Sequence, residues 1–216
     1  SIKPLSGYGP ALEYGLITQT TLVNDSRDVK LEGTSWMTAN SPNVYDGIIT
    51  IRDALRMSKN TVAAQIVDKL TPAECFNYMT TKLGFTTLVA ADADYAPMAE
   101  GALTVGATVR EMAQAYTSFV NYGTMSYART YTKVLDSKGE VVLDNEQRTS
   151  NAFSPNTAAN ICNMLENAVR AGTGTEAYFA GMSVAGKTGT TANNNDRYFV
   201  GFTPYYVAAV WTGYNN

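Results

Sequence analysis

Residues 181–214, GMSVAGKTGTTANNNDRYFVGFTPYYVAAVWTGY, decide the fold. Here the apolar spacing changes to a period of two, and 181–191, 196–203 and 206–214 read as three strands. Thr203-Pro204 makes the tight connection between the last two, so the three form an antiparallel meander. Upstream the pattern is mostly helical. Residues 4–15 carry Leu5, Tyr8 and Leu12 at three- and four-residue spacing, with Gly15 as the stop. Helices follow at 50–57 and 61–70, interrupted by Ser58-Lys59-Asn60. Thr71-Pro72-Ala73-Glu74 and Thr108-Val109-Arg110-Glu111 are capping boxes that open two more, stopped at Gly84 and Gly123. Ser154-Pro155 starts a helix that runs to Gly172. Residues 129–143 alternate as a small hairpin about Ser137-Lys138-Gly139. Residues 16–49 read as loop, with turn residues at 24–26, 33–35, 41–43 and 46–47. Helices followed by a meander predict an α/β (α+β) fold, an antiparallel sheet flanked by helices, in one domain over 1–216.

Composition narrows the chemistry. Among 216 residues there is no histidine, which excludes Ser-His-Asp and Cys-His pairs and histidine-bound zinc or haem. A formal charge of −3 argues against a nucleic-acid partner held by counterion release. Cys75 and Cys162 fall in helical patterns without metal-ligand spacing and read as small core residues, a disulfide between them remaining open. No metal or cofactor is expected, and no apolar run reaches the roughly 18 residues that span a bilayer.

Three short motifs are left to carry chemistry. Lys187-Thr188-Gly189-Thr190 lies on the first predicted strand. Its glycine lets a ligand backbone lie close to the strand, and Thr188 and Thr190 share one face from which both reach a carboxylate. Ser58-Lys59-Asn60 sits between two helices, where Ser and Asn also suit a plain capping turn. Ser1-Ile2-Lys3-Pro4 is the third. A serine activated by lysine needs Ser-x-x-Lys spacing, which puts both side chains on one helical face, and such a serine would stand directly before Ser1.

Together these motifs resemble those of penicillin-binding protein transpeptidase domains, most closely the high-molecular-weight, class A-like type. The resemblance extends over nearly the whole chain. It includes 49–55 before Ser58, 101–116, Gly172-Thr173-Gly174, 196–204 and 210–214.

The resemblance implies a serine-type D-Ala-D-Ala transpeptidase that cross-links peptidoglycan stem peptides and is acylated by β-lactams. It makes Lys3 the base that takes the serine proton, Ser58 the shuttle to the leaving amine, and Lys187 a neighbouring cation that favours neutral Lys3. Asn60 holds the substrate amide, Thr188 and Thr190 bind its carboxylate along Gly189, and the Thr190 N–H joins the oxyanion hole. It also implies two further strands and the serine in an upstream segment of the same protein, and a place on the extracytoplasmic face of the bacterial membrane, reached by an anchor outside this chain. A carboxypeptidase or β-lactamase-type hydrolase, and a non-catalytic module that binds β-lactam or peptidoglycan, stand as alternatives. Trp36, in the loop beside the expected cleft, reads as packing or as a substrate contact. Gly172–Gly174 reads as a helix stop, since no Walker-spaced Gly-Lys follows.

Overall fold

The computed structural model describes residues 1–32, 34–191 and 194–214; Gly33, of the expected 33–35 turn, lies outside them. At its centre is the three-stranded antiparallel sheet β7 (Ala185–Thr190), β8 (Asp196–Phe202) and β9 (Val207–Gly213), in the order β7-β8-β9. Lys187 pairs with Val200 and Gly189 with Tyr198, which in turn faces Trp211. Two long amphipathic helices, α6 (Val109–Val120) and α7 (Pro155–Ala171), pack on this sheet. Each begins as its sequence dictates. Thr108 and Glu111 exchange hydrogen bonds in a complete capping box, and the Ser154 hydroxyl accepts from Thr157 N–H ahead of Pro155. An aromatic run, Tyr78–Phe153–Phe119–Tyr116, with centroids 5.3 Å apart at each step, joins the helical layer to Phe202 on β8.

The remaining helices are α1 (Gly9–Glu13), α2 (Ile51–Arg56), α3 (Asn60–Leu70), α4 (Pro72–Asn77) and α5 (Tyr95–Glu100). They bury Ala11, Ala54, Leu55, Val62, Ile66 and Met98 in one continuous core. α1 is entered through a π-turn, Pro4–Tyr8, closed by Gly9 N–H on the Pro4 carbonyl.

Three expectations need correction. The 16–49 segment is not all loop, because β1 (Leu22–Asp25) and β2 (Gly47–Thr50) pair antiparallel. A second short pair, β3 (Thr124–Ser126) with β6 (Thr149–Asn151), closes the chain around the 129–143 hairpin. That hairpin forms as β4 (Lys133–Leu135) and β5 (Val141–Asp144), with a bulge after Val134. The helix opened by Pro72 also changes character midway, passing into a π-turn at Tyr78–Lys82 before Gly84. Both missed pairs are three or four residues long and mostly exposed or half-exposed, too short for a period of two to register. Both cysteines are free thiols, Cys75 in the core and Cys162 half-buried.

Candidate active site

The three motifs meet at one edge of the sheet. Lys3 enters on the first turn of the N-terminal helix and is only 6 % exposed, so its ammonium must find partners inside the protein. It donates to the Ser58 carbonyl oxygen at 2.7 Å and to Asn60 Oδ1 at 2.5 Å, with Ser58 Oγ at 3.4 Å. The turn between α2 and α3 presents these acceptors because Ser58 adopts φ +59°, a left-handed conformation that bends the chain back over Lys3. Asn60 is held from its other end, its Nδ2 donating to the Ala39 carbonyl oxygen at 2.9 Å.

Lys187, 1 % exposed, lies on β7, and among the described residues its ammonium donates one hydrogen bond, to the Thr188 carbonyl oxygen at 3.2 Å. A buried lysine with so few acceptors is poorly solvated as a cation. Burial first, then the charge of Lys3, pulls the Lys187 ammonium down to about 7. Lys3 falls to about 8 through burial, opposed by the Glu100 carboxylate. Burial is the first cause for both lysines, and the repulsion between the two ammonium groups acts on each.

The β7 motif divides its side chains as alternation requires. Lys187 points into the protein, while Thr188 and Thr190 face outward; Thr188 Oγ1 donates to Thr173 Oγ1 at 2.8 Å and Thr190 is exposed. Gly189 lies directly against Ser1, where a Cβ would overlap the Ser1 backbone nitrogen. Only glycine lets β7 come this close to the start of the Lys3 helix. Gly189→Ala is accordingly expected to push strand and helix apart and to lower the thermal midpoint; an unchanged midpoint would show that this close approach is dispensable.

Two residues that the motifs did not single out complete the arrangement. Tyr116, fully buried on α6, donates to the Ser1 carbonyl oxygen at 2.7 Å and pins the helix that carries Lys3. Thr173 reaches Thr188 because the 172–174 turn ends α7: the N–H groups of Gly172 and Gly174 both bond the Ala168 carbonyl, and Thr173 N–H bonds that of Arg56. That turn is a helix stop, as expected. Trp36 stacks on Tyr95 at 5.9 Å, a packing role. No group of three or more metal-ligating residues occurs among the described residues.

The site thus combines two buried lysines with depressed proton affinity, a serine and an asparagine in contact with one of them, and a threonine-lined strand edge. The sequence profile described as "Penicillin binding protein transpeptidase domain" matches residues 2–216. Penicillin-binding protein 1A of Clostridium botulinum is 37 % identical over 223 residues, covering 100 % of this chain and 27 % of the relative. Penicillin-binding protein 4 of Bacillus subtilis is 35 % identical, covering 99 % of this chain and 33 % of the relative. The chain therefore spans about a quarter to a third of the length of these relatives.

The fold is shared with the D,D-transpeptidase domain of a peptidoglycan glycosyltransferase from Eggerthella lenta, at TM-score 0.83 and 24 % identity over 97 % of this chain and 58 % of that one. It is also shared with penicillin-binding protein 1A from Haemophilus influenzae, at TM-score 0.84 and 23 % identity over 100 % of this chain and 37 % of that one. A family-wide sequence match, relatives above one-third identity and the same fold around the three motifs together place this chain in the penicillin-binding protein transpeptidase domain family.

Proposed function

We propose that this chain carries the lysine, serine–asparagine and Lys-Thr-Gly-Thr elements of a D,D-transpeptidase that cross-links peptidoglycan stem peptides. The observation that supports it most is Lys3: a buried lysine, pulled down to about 8, in contact with Ser58 and Asn60 and electrostatically coupled to Lys187. At pH 7 a lysine with that proton affinity is neutral roughly a tenth of the time, against a few parts in ten thousand for a solvated one. That is enough for it to act as a base without histidine.

In this reading the nucleophile is a serine one position before Ser1. Lys3 Nζ takes its proton as the serine Oγ bonds to the carbonyl carbon of the penultimate D-Ala. The carbonyl oxygen becomes an oxyanion facing the Thr190 N–H. Ser58 passes a proton to the departing D-Ala nitrogen as the C–N bond breaks, leaving an ester on the serine. The amine of a second stem peptide then attacks that ester, the serine recovers its proton, and the cross-link is made. Asn60 holds the donor amide, and Thr188 and Thr190 hold its terminal carboxylate. A β-lactam enters the same path, its ring nitrogen standing in for the leaving amine. Penicillin-binding protein A of Mycobacterium tuberculosis, of the same fold at 18 % identity and TM-score 0.82, is known as an imipenem acyl-enzyme complex. The reading places the domain on the extracytoplasmic side of the bacterial membrane; no helix among the described residues is itself long and apolar enough to cross one.

Labelling of the protein bearing this chain with a fluorescent penicillin tests the proposal. The rate is expected to climb with pH along a limb centred near 8, because the productive form of Lys3 is the neutral one. Absence of labelling would remove the enzymatic reading. Labelling on a limb well above 9 would remove Lys3 as the base. Product analysis with a peptide donor and an amine acceptor then separates transfer from hydrolysis.

A further inference from the structure

Beneath the 58–60 turn lies a buried polar network that none of the motifs predicts. α3 starts at Asn60, and its N-cap Lys59 supplies no side-chain acceptor for the exposed first-turn N–H groups. Asn40, twenty residues upstream in the β1–β2 connection, does so instead. Its Oδ1 accepts from Asn60 N–H at 2.8 Å and from Thr61 N–H at 3.3 Å. Its Nδ2 donates to the Val44 carbonyl oxygen at 2.9 Å and to Asp25 Oδ1 at 2.6 Å.

Asp25 is fully buried at the end of β1. It also accepts from the Thr61 hydroxyl at 2.5 Å and Asp46 N–H at 2.9 Å, and it pairs with Lys59 Nζ at 2.9 Å. Lys59 in turn reaches the Asp46 carboxylate at 2.7 Å and the Val44 carbonyl oxygen at 3.0 Å. Lys59, Asn60 and Thr61 are therefore each tied to Asp25 or Asn40. The residue they follow, Ser58, is the one in a left-handed conformation, which persists only where its surroundings over-determine it.

We propose that Asn40, seated on Asp25, is a positioning residue for the acyl transfer. Through the backbone of Asn60 it aims Asn60 Oδ1 and the Ser58 carbonyl oxygen at Lys3. Residues 39 and 40 act together, since the Ala39 carbonyl oxygen holds the Asn60 side chain while Asn40 holds its main chain. This role in catalysis rests on the transpeptidase reading.

The test is Asn40→Ala in the full protein. Labelling by fluorescent penicillin is expected to slow about tenfold, the effect of one well-placed hydrogen bond. The acid limb of its pH profile is also expected to move to lower pH, because Lys3 loses aligned acceptors that favour its ammonium. Glu100 and Lys187, the other charged groups coupled to Lys3, are unaltered. A purely structural loss would reduce the amount of protein labelled and leave the limb in place, so an unmoved limb overturns the proposal.

Hydrogen–deuterium exchange across 58–62, read by mass spectrometry, is independent of the chemistry. Exchange there is expected to quicken about tenfold while 185–190 is unchanged. If the unaltered protein does not label at all, the transpeptidase reading falls and exchange alone judges the clamp: quickened exchange upholds it and unchanged exchange overturns it. Asn40→Ser, a milder truncation, is read by the same criteria should the alanine variant fold poorly.

Discussion

Replacing Lys3 with arginine is expected to slow penicillin acylation about a thousandfold, within the range set by loss of a general base. Arginine stays protonated at every accessible pH and cannot take the serine proton, although it keeps the positive charge. The substitution therefore separates two roles that alanine would confuse. If the residue served only as a cation beside the Ser58 carbonyl oxygen and Asn60 Oδ1, arginine would retain much of the rate. A variant with more than a tenth of the original second-order labelling rate would end the case for Lys3 as base. Lys3→Met is a useful companion. It removes the charge that is the second cause of the low proton affinity of Lys187, so any residual chemistry that depends on neutral Lys187 should shift its limb upward.

The largest stability effect is expected at Lys59. Lys59→Met leaves Asp25, which has no solvent exposure, as a buried carboxylate without its cation. Breaking one partner of a buried pair costs about 3–5 kcal/mol, which for a domain of this size lowers the thermal midpoint by roughly 10 °C. Burial by itself would raise the proton affinity of Asp25. Donors from Thr61, Lys59, Asn40 and the Asp46 N–H outweigh it and hold the carboxyl below the usual range.

The sign of the pH dependence follows. A carboxyl depressed in the folded state contributes stability that is present above its unfolded value and is lost as pH falls through the folded one. The parent protein should thus lose this contribution only in acid, whereas Lys59→Met should lose it at a higher pH. Adding Asp25→Leu should not restore the parent midpoint, because Asn40, Thr61 and Asp46 would then keep unpaired donors. A thermal melt of the single and double variants decides both points, and full recovery in the double variant would show that the hydrogen bonds contribute little.

What the sequence made legible follows the length of its patterns. The meander over 185–213, the capped helices at 109–120 and 155–171 and the 133–144 hairpin each carry a period, a cap or a turn residue that acts locally. Lys187, Thr188, Gly189 and Thr190 could be placed by alternation alone, and the structure puts them where alternation predicts. Ser58 and Asn60 were visible as a motif, and the resemblance alone suggested roles for them. Their contact with Lys3 was not visible, since it needs φ +59° at Ser58 and a lysine 55 residues away in sequence.

Asn40 and Asp25 left no trace, because each is a common polar residue in a segment rich in turn formers. Their importance arises from burial, which no local pattern in 16–49 reveals. Tyr116 stood in the sequence only within the matched 101–116 stretch, and its hydroxyl bond to Ser1 depends on tertiary packing. The π-turns at Pro4–Tyr8 and Tyr78–Lys82 were equally hidden, since an apolar spacing of three and four residues suits an α-helix as well.

The first of those turns restricts how this protein can change in length. Its closure from Gly9 N–H to the Pro4 carbonyl spans one residue more than an α-helical bond. Deleting a residue between 5 and 8 would restore an ordinary helix and turn all that precedes it, Lys3 included, by about 100° relative to α1. The same deletion would swing the Lys3 ammonium away from Ser58 without altering a single residue named in the site. Substitution offers little more freedom at the closing position, where a side chain at Gly9 would press on the Pro4 carbonyl oxygen and the Phe153 ring. Insertions and deletions in this lineage are therefore expected in the exposed hairpin around Gly139, and not in the first nine residues.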